Sequence, residues 1–314
     1  MVDDGPNATV EETQPMMPFR KIIFPIDFSE ATISMVSYVT EMAQRFNATV
    51  TVLNAFNLVP DYPLAPQLGG ARGRCSDNAV PYTPALRQLR EQREQDLQEF
   101  SRTQLAGVGW RARVEDGDPA LVIEAVAQTE NTDLIMMPAK GLGRFRRLLL
   151  GSVTAKLLHD VNCPVWTNAH EPGPTLASPG THRAILCVVD LSSEAHPEAD
   201  FVFRAAGFLA QAYGSRICLL HLGPSSHKHG EEGAADSVRR AFEQGLNIDS
   251  RKVGLDITVR SLDTAIPEGI RRAAIEESAD LVVVGRGRQE RSLSHMWSHL
   301  YATVRESPCP VLTV

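Results

Sequence analysis

The chain repeats itself, and this repetition restricts its fold more than any other feature of the sequence. Residues 20–28 (RKIIFPIDF) and 183–191 (RAILCVVDL) are both short apolar segments that lead into an aspartate. Each half also closes with nearly the same phrase, NCPVWT at 162–167 and PCPVLTV at 308–314. A chance match of this length is improbable, so the pattern predicts two copies of one domain. The length of 314 residues suits two domains of about 150 residues each.

Segments rich in proline and glycine indicate where the domains begin and end. Residues 169–181 (AHEPGPTLASPGT) indicate a linker, which predicts domains over 18–168 and 182–314 after a flexible tail at 1–17. The first half is 17 residues longer between its strand-end aspartate and its closing proline. We expect this insertion in the Pro-, Gly- and Arg-rich segment 58–84, as either a disordered excursion or a lid.

Composition narrows the class of protein. Apolar residues make up 43% of the chain and the formal net charge is −7, which argues against general nucleic-acid binding. No apolar run approaches the roughly 18–20 residues that span a membrane, and the acidic first 17 residues lack the apolar core of a signal peptide. Five cysteines, an odd number, favour reduced thiols and a cytoplasmic location. No cysteine pair has metal-ligand spacing, so we expect no metal site.

Apolar strands alternate with helical segments in each half, which predicts an α/β fold. Such alternation is typical of a five-stranded parallel sheet with helices on both faces, wound in two directions from its centre. We expect the flavodoxin-like strand order 3-2-1-4-5 in both halves. The closing strands, 164–168 and 310–314, then lie at sheet edges with exposed pairing groups. These two edges can pair antiparallel and relate the halves by a pseudo-twofold axis.

The elements of the first half can be placed from periodicity and caps. The predicted strands are 21–27, 49–56, 111–115, 133–138 and 164–168, and the predicted helices are 30–46, 84–106, 119–129 and 152–160. Ser29 is the expected cap of the first helix. The apolar face expected for that helix consists of Ile33, Val36, Val39, Ala43 and Phe46.

Residues 134–167 carry the pattern that most favours ligand binding. Gly141 and Gly151 stand ten positions apart in a basic loop, and Ser152 opens a helix. Free backbone N–H groups and the positive end of a helix dipole attract anions at such a step, so the segment outlines a phosphate site. Positive charge beside it comes from Lys140, Arg144, Arg146 and Arg147. The competing interpretation is that Ser152 only caps the helix and that these basic side chains are solvated.

Further candidate residues stand at the carboxyl ends of predicted strands. Asp27 ends the first strand, Ala55 lies near the end of the second, and Met137 and Pro138 end the fourth. Ligands of doubly wound sheets bind outside these strand ends, where the winding reverses. The four residues can therefore converge on one crevice.

These residues together resemble a tandem universal stress protein, and the resemblance covers both halves. That family's first strand ends Pro-x-Asp-x-Ser, as do Pro25, Ile26, Asp27, Phe28 and Ser29 here. Its loop has Gly, two residues, Gly, nine residues and then Gly-Ser or Gly-Thr. Gly141, Gly151 and Ser152 fit that pattern, whereas Pro138 stands in place of the first glycine. Pro138 lacks a backbone N–H and has a fixed φ, so this departure puts one ligand contact in doubt.

The resemblance implies a ligand and a way to hold it. ATP, with or without Mg²⁺, would bind the first half, with Asp27 meeting the adenosine end. Backbone N–H groups of Gly141, Gly151, Ser152 and Val153 would hold the phosphates, and Lys140 and Arg144 would add charge. Single-domain members of the family dimerise through the closing strand, so a homodimer or its counterpart within one chain is implied.

The second half departs further from that pattern. Asp190 keeps the strand-end carboxylate and Gly285 can be the first loop glycine, but Arg288 and Trp297 replace the other two. A tryptophan there would fill the space that a phosphate needs, which predicts one ATP per chain. Another ligand, such as an anion, stays open for the second half because of Arg286, Arg288, Arg291, His295 and His299.

Three functions follow as hypotheses. The first is an ATP-binding regulatory or sensor protein of the stress response with a protein partner that the sequence does not identify. The second is a slow ATPase or a self-phosphorylating switch, and the third is an interaction scaffold without a ligand. The sequence has neither a nucleophile-elbow triad nor a P-loop, so we expect no catalytic residues and at most weak ATP hydrolysis.

Overall fold

A computed structural model describes most of the predicted strands and helices. The described residues are 19–56, 84–139, 150–168, 180, 182–189, 197–222, 230–246, 255–262, 264–286 and 293–314. The predicted tail at 1–17 lies outside this part of the chain. So do all but Pro84 of the segment 58–84, all but Gly180 of the linker 169–181, and the basic loop 140–149.

Each half contains five strands and four helices within the described residues. The first half has β1 Lys21–Pro25, α1 Glu30–Phe46, β2 Thr49–Phe56, α2 Pro84–Gln104, β3 Gly109–Asp116, α3 Pro119–Glu130, β4 Leu134–Pro138, α4 Ser152–Asp160 and β5 Val165–Asn168. The second half has β6 Ala184–Val189, α5 Pro197–Tyr213, β7 Arg216–Leu222, α6 Gly230–Leu246, β8 Ile257–Leu262, α7 Ile266–Glu276, β9 Leu281–Val284, α8 Leu293–Glu306 and β10 Val311–Thr313.

The ten strands form one sheet in the order β3-β2-β1-β4-β5-β10-β9-β6-β7-β8. Neighbouring strands are parallel within each half, and only β5 and β10 pair antiparallel. The predicted α/β class and the order 3-2-1-4-5 are confirmed in both halves. The closing strands meet as the sequence predicted, with Trp166 opposite Leu312.

An aspartate directly before the fourth strand of each half, Asp133 and Asp280, makes the same pair of hydrogen bonds. A carboxylate oxygen of Asp133 accepts hydrogen bonds from the backbone N–H groups of Arg20 and Lys21, both at 2.8 Å. Asp280 does the same for Arg183 and Ala184, at 2.6 and 3.1 Å. Each aspartate therefore joins the beginning of the first strand to the beginning of the fourth.

Helix α1 confirms its predicted bounds and cap but not its whole buried face. Ser29 caps the helix by accepting from the Thr32 N–H, whereas Ile33, predicted to be buried, is 46% exposed. Thr32, Met35 and Met42 are buried instead. The Thr32 hydroxyl donates to Asp27 at 2.5 Å, so the side of the first turn that carries Thr32 is the buried one.

The two halves share their hydrophobic core across the β5–β10 junction. The Thr167 hydroxyl donates to the Val311 carbonyl at 3.3 Å, and the Thr313 hydroxyl donates to the Val165 carbonyl at 3.2 Å. On one face of the sheet, the ring of Phe46 in α1 stacks on Phe208 in α5 with centroids 5.0 Å apart. This packing fixes the two halves against each other.

Residues just before the first strand of each half also pack at the junction. Phe19 lies 5.7 Å from Phe46 between ring centroids. The equivalent residue of the second half is His182, whose ring lies 4.6 Å from Tyr213 and 5.4 Å from Trp166. Both residues are buried, so the second half places a titratable ring where the first has a phenyl group.

Candidate functional site

The sheet of the first half reverses its winding between β1 and β4. These strands are neighbours and parallel, so their carboxyl ends open at the same edge of the sheet. Pro25 ends β1 with Ile26 and Asp27 directly after it, and Pro138 ends β4. A doubly wound sheet offers its ligand crevice at this switch point.

Asp27 is held in one orientation by its own turn. One carboxylate oxygen accepts from the Ser29 N–H at 3.0 Å and from the Thr32 hydroxyl at 2.5 Å. Partial burial alone would raise the pKa of Asp27, but these hydrogen bonds outweigh it and hold the pKa below its ordinary value. Phe28 takes the left-handed φ of 60°, which is strained for a bulky residue. The carboxylate is therefore ionised, exposed and fixed.

A buried amide supports the backbone beside Asp27. The Asn54 side chain is 2% exposed and donates to the Ile26 carbonyl at 2.7 Å. Arg93 of α2 lies 3.5 Å from the Asn54 side-chain oxygen and sits over the Phe56 ring at 4.4 Å. The end of β1 is thus anchored to β2 and α2.

Sequence reasoning missed this anchor, although the repeat contains a signal for it. His221 in β7 occupies the position of Asn54, and its Nδ1 lies 3.4 Å from the Val189 carbonyl. A polar side chain inside an apolar strand at the same place in both repeats indicates a buried hydrogen bond. The carbonyl before each strand-end aspartate is therefore supported in the same way.

Helix α4 begins at the carboxyl end of β4. Gly151 is its N-cap and Ser152 is its first helical residue, so the interpretation of Ser152 as a helix cap is wrong. The Gly151 N–H donates to the Ala139 carbonyl at 3.0 Å, and the Thr154 hydroxyl donates to the Pro138 carbonyl at 3.1 Å. These bonds attach the helix start to β4 and occupy the N–H of Gly151.

The start of α4 also carries backbone donors that the helix does not use. The first N–H groups of an α-helix, here those of Ser152 and Val153, have no acceptor within the helix. Gly151 itself has φ −59° and ψ 140°, a conformation that other residues adopt without strain. Its backbone does not require glycine.

The other predicted site residues divide into three groups. Ala55 and Pro138 are half-buried at their strand ends. Met137 is 5% exposed and packs in the core, so only its backbone can face a ligand. Lys140, Gly141 and Arg144 lie outside the described residues. The structure therefore brings together the strand ends and the helix start.

The same place in the second half is built differently. Helix α8 begins at Leu293, five residues before Ser298, which is the counterpart of Ser152. The backbone N–H groups there lie inside the helix and donate to the preceding turn. Gly285 packs closely, since a Cβ added to it would lie 3.1 Å from Val202 Cγ2. This half offers no open helix start at the Gly-Ser position.

Arg286 is one of the five basic residues for which an anion stayed open, and the structure gives its side chain other partners. Arg286 is 2% exposed, and its guanidinium donates to the carbonyl oxygens of Val161 and Cys163 in the first half. Its charge is therefore committed to the junction. His299 is half-buried, and the side chains of Arg288, Arg291, His295 and Trp297 lie outside the described part of the structure.

Neither a cluster of metal-ligating side chains nor a helix able to cross a membrane is found among the described residues. They contain no group of three or more His, Cys, Asp or Glu side chains that could hold a metal ion. None of the described helices is both long and apolar enough to cross a membrane.

Paired doubly wound units, with a fixed carboxylate and a helix start at one switch point, define an α/β protein with a candidate ligand site at that point. The model of the Universal stress protein family matches residues 18–167 and again 181–314. The chain therefore belongs to the universal stress protein family, in a tandem arrangement.

Individual relatives agree with this assignment. A universal stress protein of Methanocaldococcus jannaschii is 25% identical over 148 residues, which cover 47% of this chain and 80% of the relative. One from Thermus aquaticus is 30% identical over 147 residues, covering 47% of this chain and 96% of the relative. The crystal structure of a universal stress protein from Archaeoglobus fulgidus has a TM-score of 0.65 at 19% identity, covering 95% of this chain and 97% of that one. This last likeness shows the fold alone.

Proposed function

We propose that the first half binds ATP and that the chain acts as a nucleotide-dependent regulator or sensor in the stress response. The observation that supports this most is the arrangement at the switch point. The fixed carboxylate of Asp27 and the open start of α4 stand at the ends of the neighbouring strands β1 and β4. A carboxylate accepts hydrogen bonds from ribose hydroxyl groups, and the free N–H groups of a helix start donate hydrogen bonds to phosphate oxygens.

Each site residue receives a role in this proposal. Pro25, Ile26 and Ala55 shape the adenosine side together with Asp27, and the backbone of Met137 and Pro138 closes it. The N–H groups of Ser152 and Val153 bind phosphate oxygens, with Gly141 in the loop before them. Lys140 and Arg144 add positive charge, and Mg²⁺ accompanies the nucleotide on its phosphates.

Gly151 supports the proposal in a separate way. Its dihedral angles suit any residue, so backbone strain does not explain the glycine. A side chain at the N-cap would point toward the first turn, where the phosphates are placed. Close approach of a ligand is a reason for glycine that the backbone alone does not supply.

The test compares Gly151→Val with wild type by isothermal titration of ATP. We expect at least a hundredfold weaker binding, equivalent to about 2.7 kcal/mol, and a loss of only about 1 kcal/mol of folding stability because valine is a poorer N-cap residue than glycine. Gly109→Ala is the control, since its added Cβ at the start of β3 would meet only Thr49 Oγ1, at 3.8 Å. Equal affinity in all three proteins would rule out this site.

A turnover assay on the same samples addresses the nature of the function. The described site contains one carboxylate, Asp27, whose lowered pKa makes it a poor general base. We therefore expect ATP to be bound and recovered intact. Phosphate release that disappears in Gly151→Val would instead support a slow ATPase or a switch that phosphorylates itself.

A further inference from the structure

The carboxyl end of α4 is held by the second half of the chain. Val161 is the C-cap of this nine-residue helix, and its carbonyl accepts from Arg286. The same guanidinium donates to the Cys163 carbonyl and lies 3.5 Å from the Thr313 carbonyl. Because Arg286 is 2% exposed, this is a buried charge whose hydrogen bonds join α4 to β10.

A second contact from the same half reaches the first turn of the helix. The Tyr301 hydroxyl of α8 donates to the Ala155 carbonyl at 3.0 Å. Ala155 also donates its N–H to Gly151, at 2.8 Å, so Tyr301 reaches the first full turn of α4. Two side chains of the second half therefore contact α4, one near its start and one at its end.

The contact at the helix end has no symmetric counterpart: the second half contacts the first through Arg286, but the equivalent residue of the first half makes no such side-chain hydrogen bond to the second. Ala139 occupies the position of Arg286 in the first half and has no polar group to offer. The matching loop of the second half supplies its own bond instead, since the Ser307 hydroxyl donates to the Cys309 carbonyl at 2.7 Å. The first half has Val161 at the Ser307 position. In the first half the equivalent carbonyl, that of Cys163, accepts from Arg286 of the other half.

The charge of Arg286 also suits α4 electrostatically. A cation at the carboxyl end of a helix interacts favourably with the helix dipole. The opposite end of this nine-residue helix carries the N–H groups that are proposed to donate hydrogen bonds to the phosphates. A short helix moves as one body, so fixing its carboxyl end and its first turn also fixes Ser152 and Val153.

We propose that Arg286 and Tyr301 are positioning residues for nucleotide binding. Through them the half with the altered motif sets the phosphate-facing helix of the other half. This inference rests on the proposed ATP site, and it assigns that site a regulatory input from the junction. A partner or modification that displaces either side chain would lower ATP affinity without touching the nucleotide.

The experiment separates phosphate contacts from adenosine contacts. ATP is titrated by calorimetry and adenosine by ligand-observed NMR, on wild type, Arg286→Met and Tyr301→Phe. We expect ATP binding about tenfold weaker for Arg286→Met and about threefold weaker for Tyr301→Phe, effects typical of coupling between sites. Adenosine binding stays within about twofold, because Asp27 is held by its own turn.

Tyr213→Phe is the matched control. It removes a hydroxyl that also crosses between the halves, to Glu41 at 2.7 Å, but contacts α1 rather than α4. Its ATP affinity should equal that of wild type. Should Arg286→Met fail to fold, Tyr301→Phe decides the matter, since it deletes only one hydroxyl.

The outcomes distinguish this inference from the proposed function. A wild-type protein that binds no ATP overturns both. If wild type binds ATP and Tyr301→Phe binds it as tightly as Tyr213→Phe does, only the positioning role is wrong. Equal weakening of ATP and adenosine would show general loosening of the fold and would also overturn the positioning role.

Discussion

The two halves share one fold but differ in backbone conformation after the fourth strand. The position that is a helix start in the first half is the interior of a helix in the second. In the first half, α4 starts at Ser152 behind the N-cap Gly151. In the second half, α8 already runs from Leu293, so the equivalent Trp297 and Ser298 lie inside a helix. Donors that are open in one half are paired within the helix in the other. A ligand site in this fold can thus be closed by extending a helix, with the sheet around it unchanged.

The largest expected effect concerns the number of sites. Equilibrium dialysis should give one ATP per chain, and Gly151→Val should reduce this to none. Trp297→Gly sharpens the comparison, because it removes the bulk of the indole but leaves α8 beginning at Leu293. We expect the number to remain one in Trp297→Gly. A value near two in wild type would show that the second half binds nucleotide through another arrangement.

The next effect compares the loops after α4 and α8. Arg286→Met leaves the buried carbonyl of Val161 and the half-buried carbonyl of Cys163 without their charged donor, which should cost about 3 kcal/mol of folding free energy. Ser307→Ala removes one neutral hydrogen bond in the equivalent loop and should cost about 1 kcal/mol. Urea denaturation followed by circular dichroism measures both. Equal costs would contradict the one-way dependence of the first half on the second.

The smallest effect concerns the paired residues Phe19 and His182. Burial lowers the pKa of His182, against the opposing pull of Glu41 and Asp280 and together with Arg45. Below the ordinary histidine value of about 6.5, the unfolded chain binds a proton that the folded chain resists. Stability should therefore fall as the pH falls from 7.5 to 5.5, by about 1 kcal/mol.

The substitution His182→Phe gives the second half the residue of the first and should remove this part of the pH dependence. Thermal unfolding at several pH values is the measurement, and Phe19→Leu serves as a control that leaves His182 in place. An unchanged pH profile in His182→Phe would assign the effect to other groups.

Most of the fold could be predicted from the sequence because both halves carry the same pattern of strands and helices. The alternation of apolar strands with capped helices gave the bounds of α1 and α4 without error. The expected position of the closing strands at the sheet edges indicated that β5 and β10 would meet. Ile33 was misplaced because α1 carries apolar residues on two sides, and the side that faces the core is the one on which Thr32 donates to Asp27.

The candidate site was harder to predict where the role of a side chain depends on backbone groups that are distant in the sequence. Arg286 follows a strand as solvated arginines often do, and its acceptors are 125 and 123 positions away in the sequence. Carbonyl acceptors belong to every residue, so no side-chain pattern marks them. The role of Asn54 could have been predicted, because its counterpart His221 is also a polar residue inside an apolar strand. The strand ends and the Gly-Ser step were accessible because they depend on local sequence.

The antiparallel pairing of β5 with β10 also has a consequence for concentration. Two separate chains that meet through such an edge dissociate on dilution, and each can be captured by a different partner. Here both edges belong to one chain, so the second half is present at a high local concentration at any expression level. Any influence that it has on the first half is independent of how much protein the cell makes. The ATP affinity proposed for the first half should then be the same at every concentration of the protein.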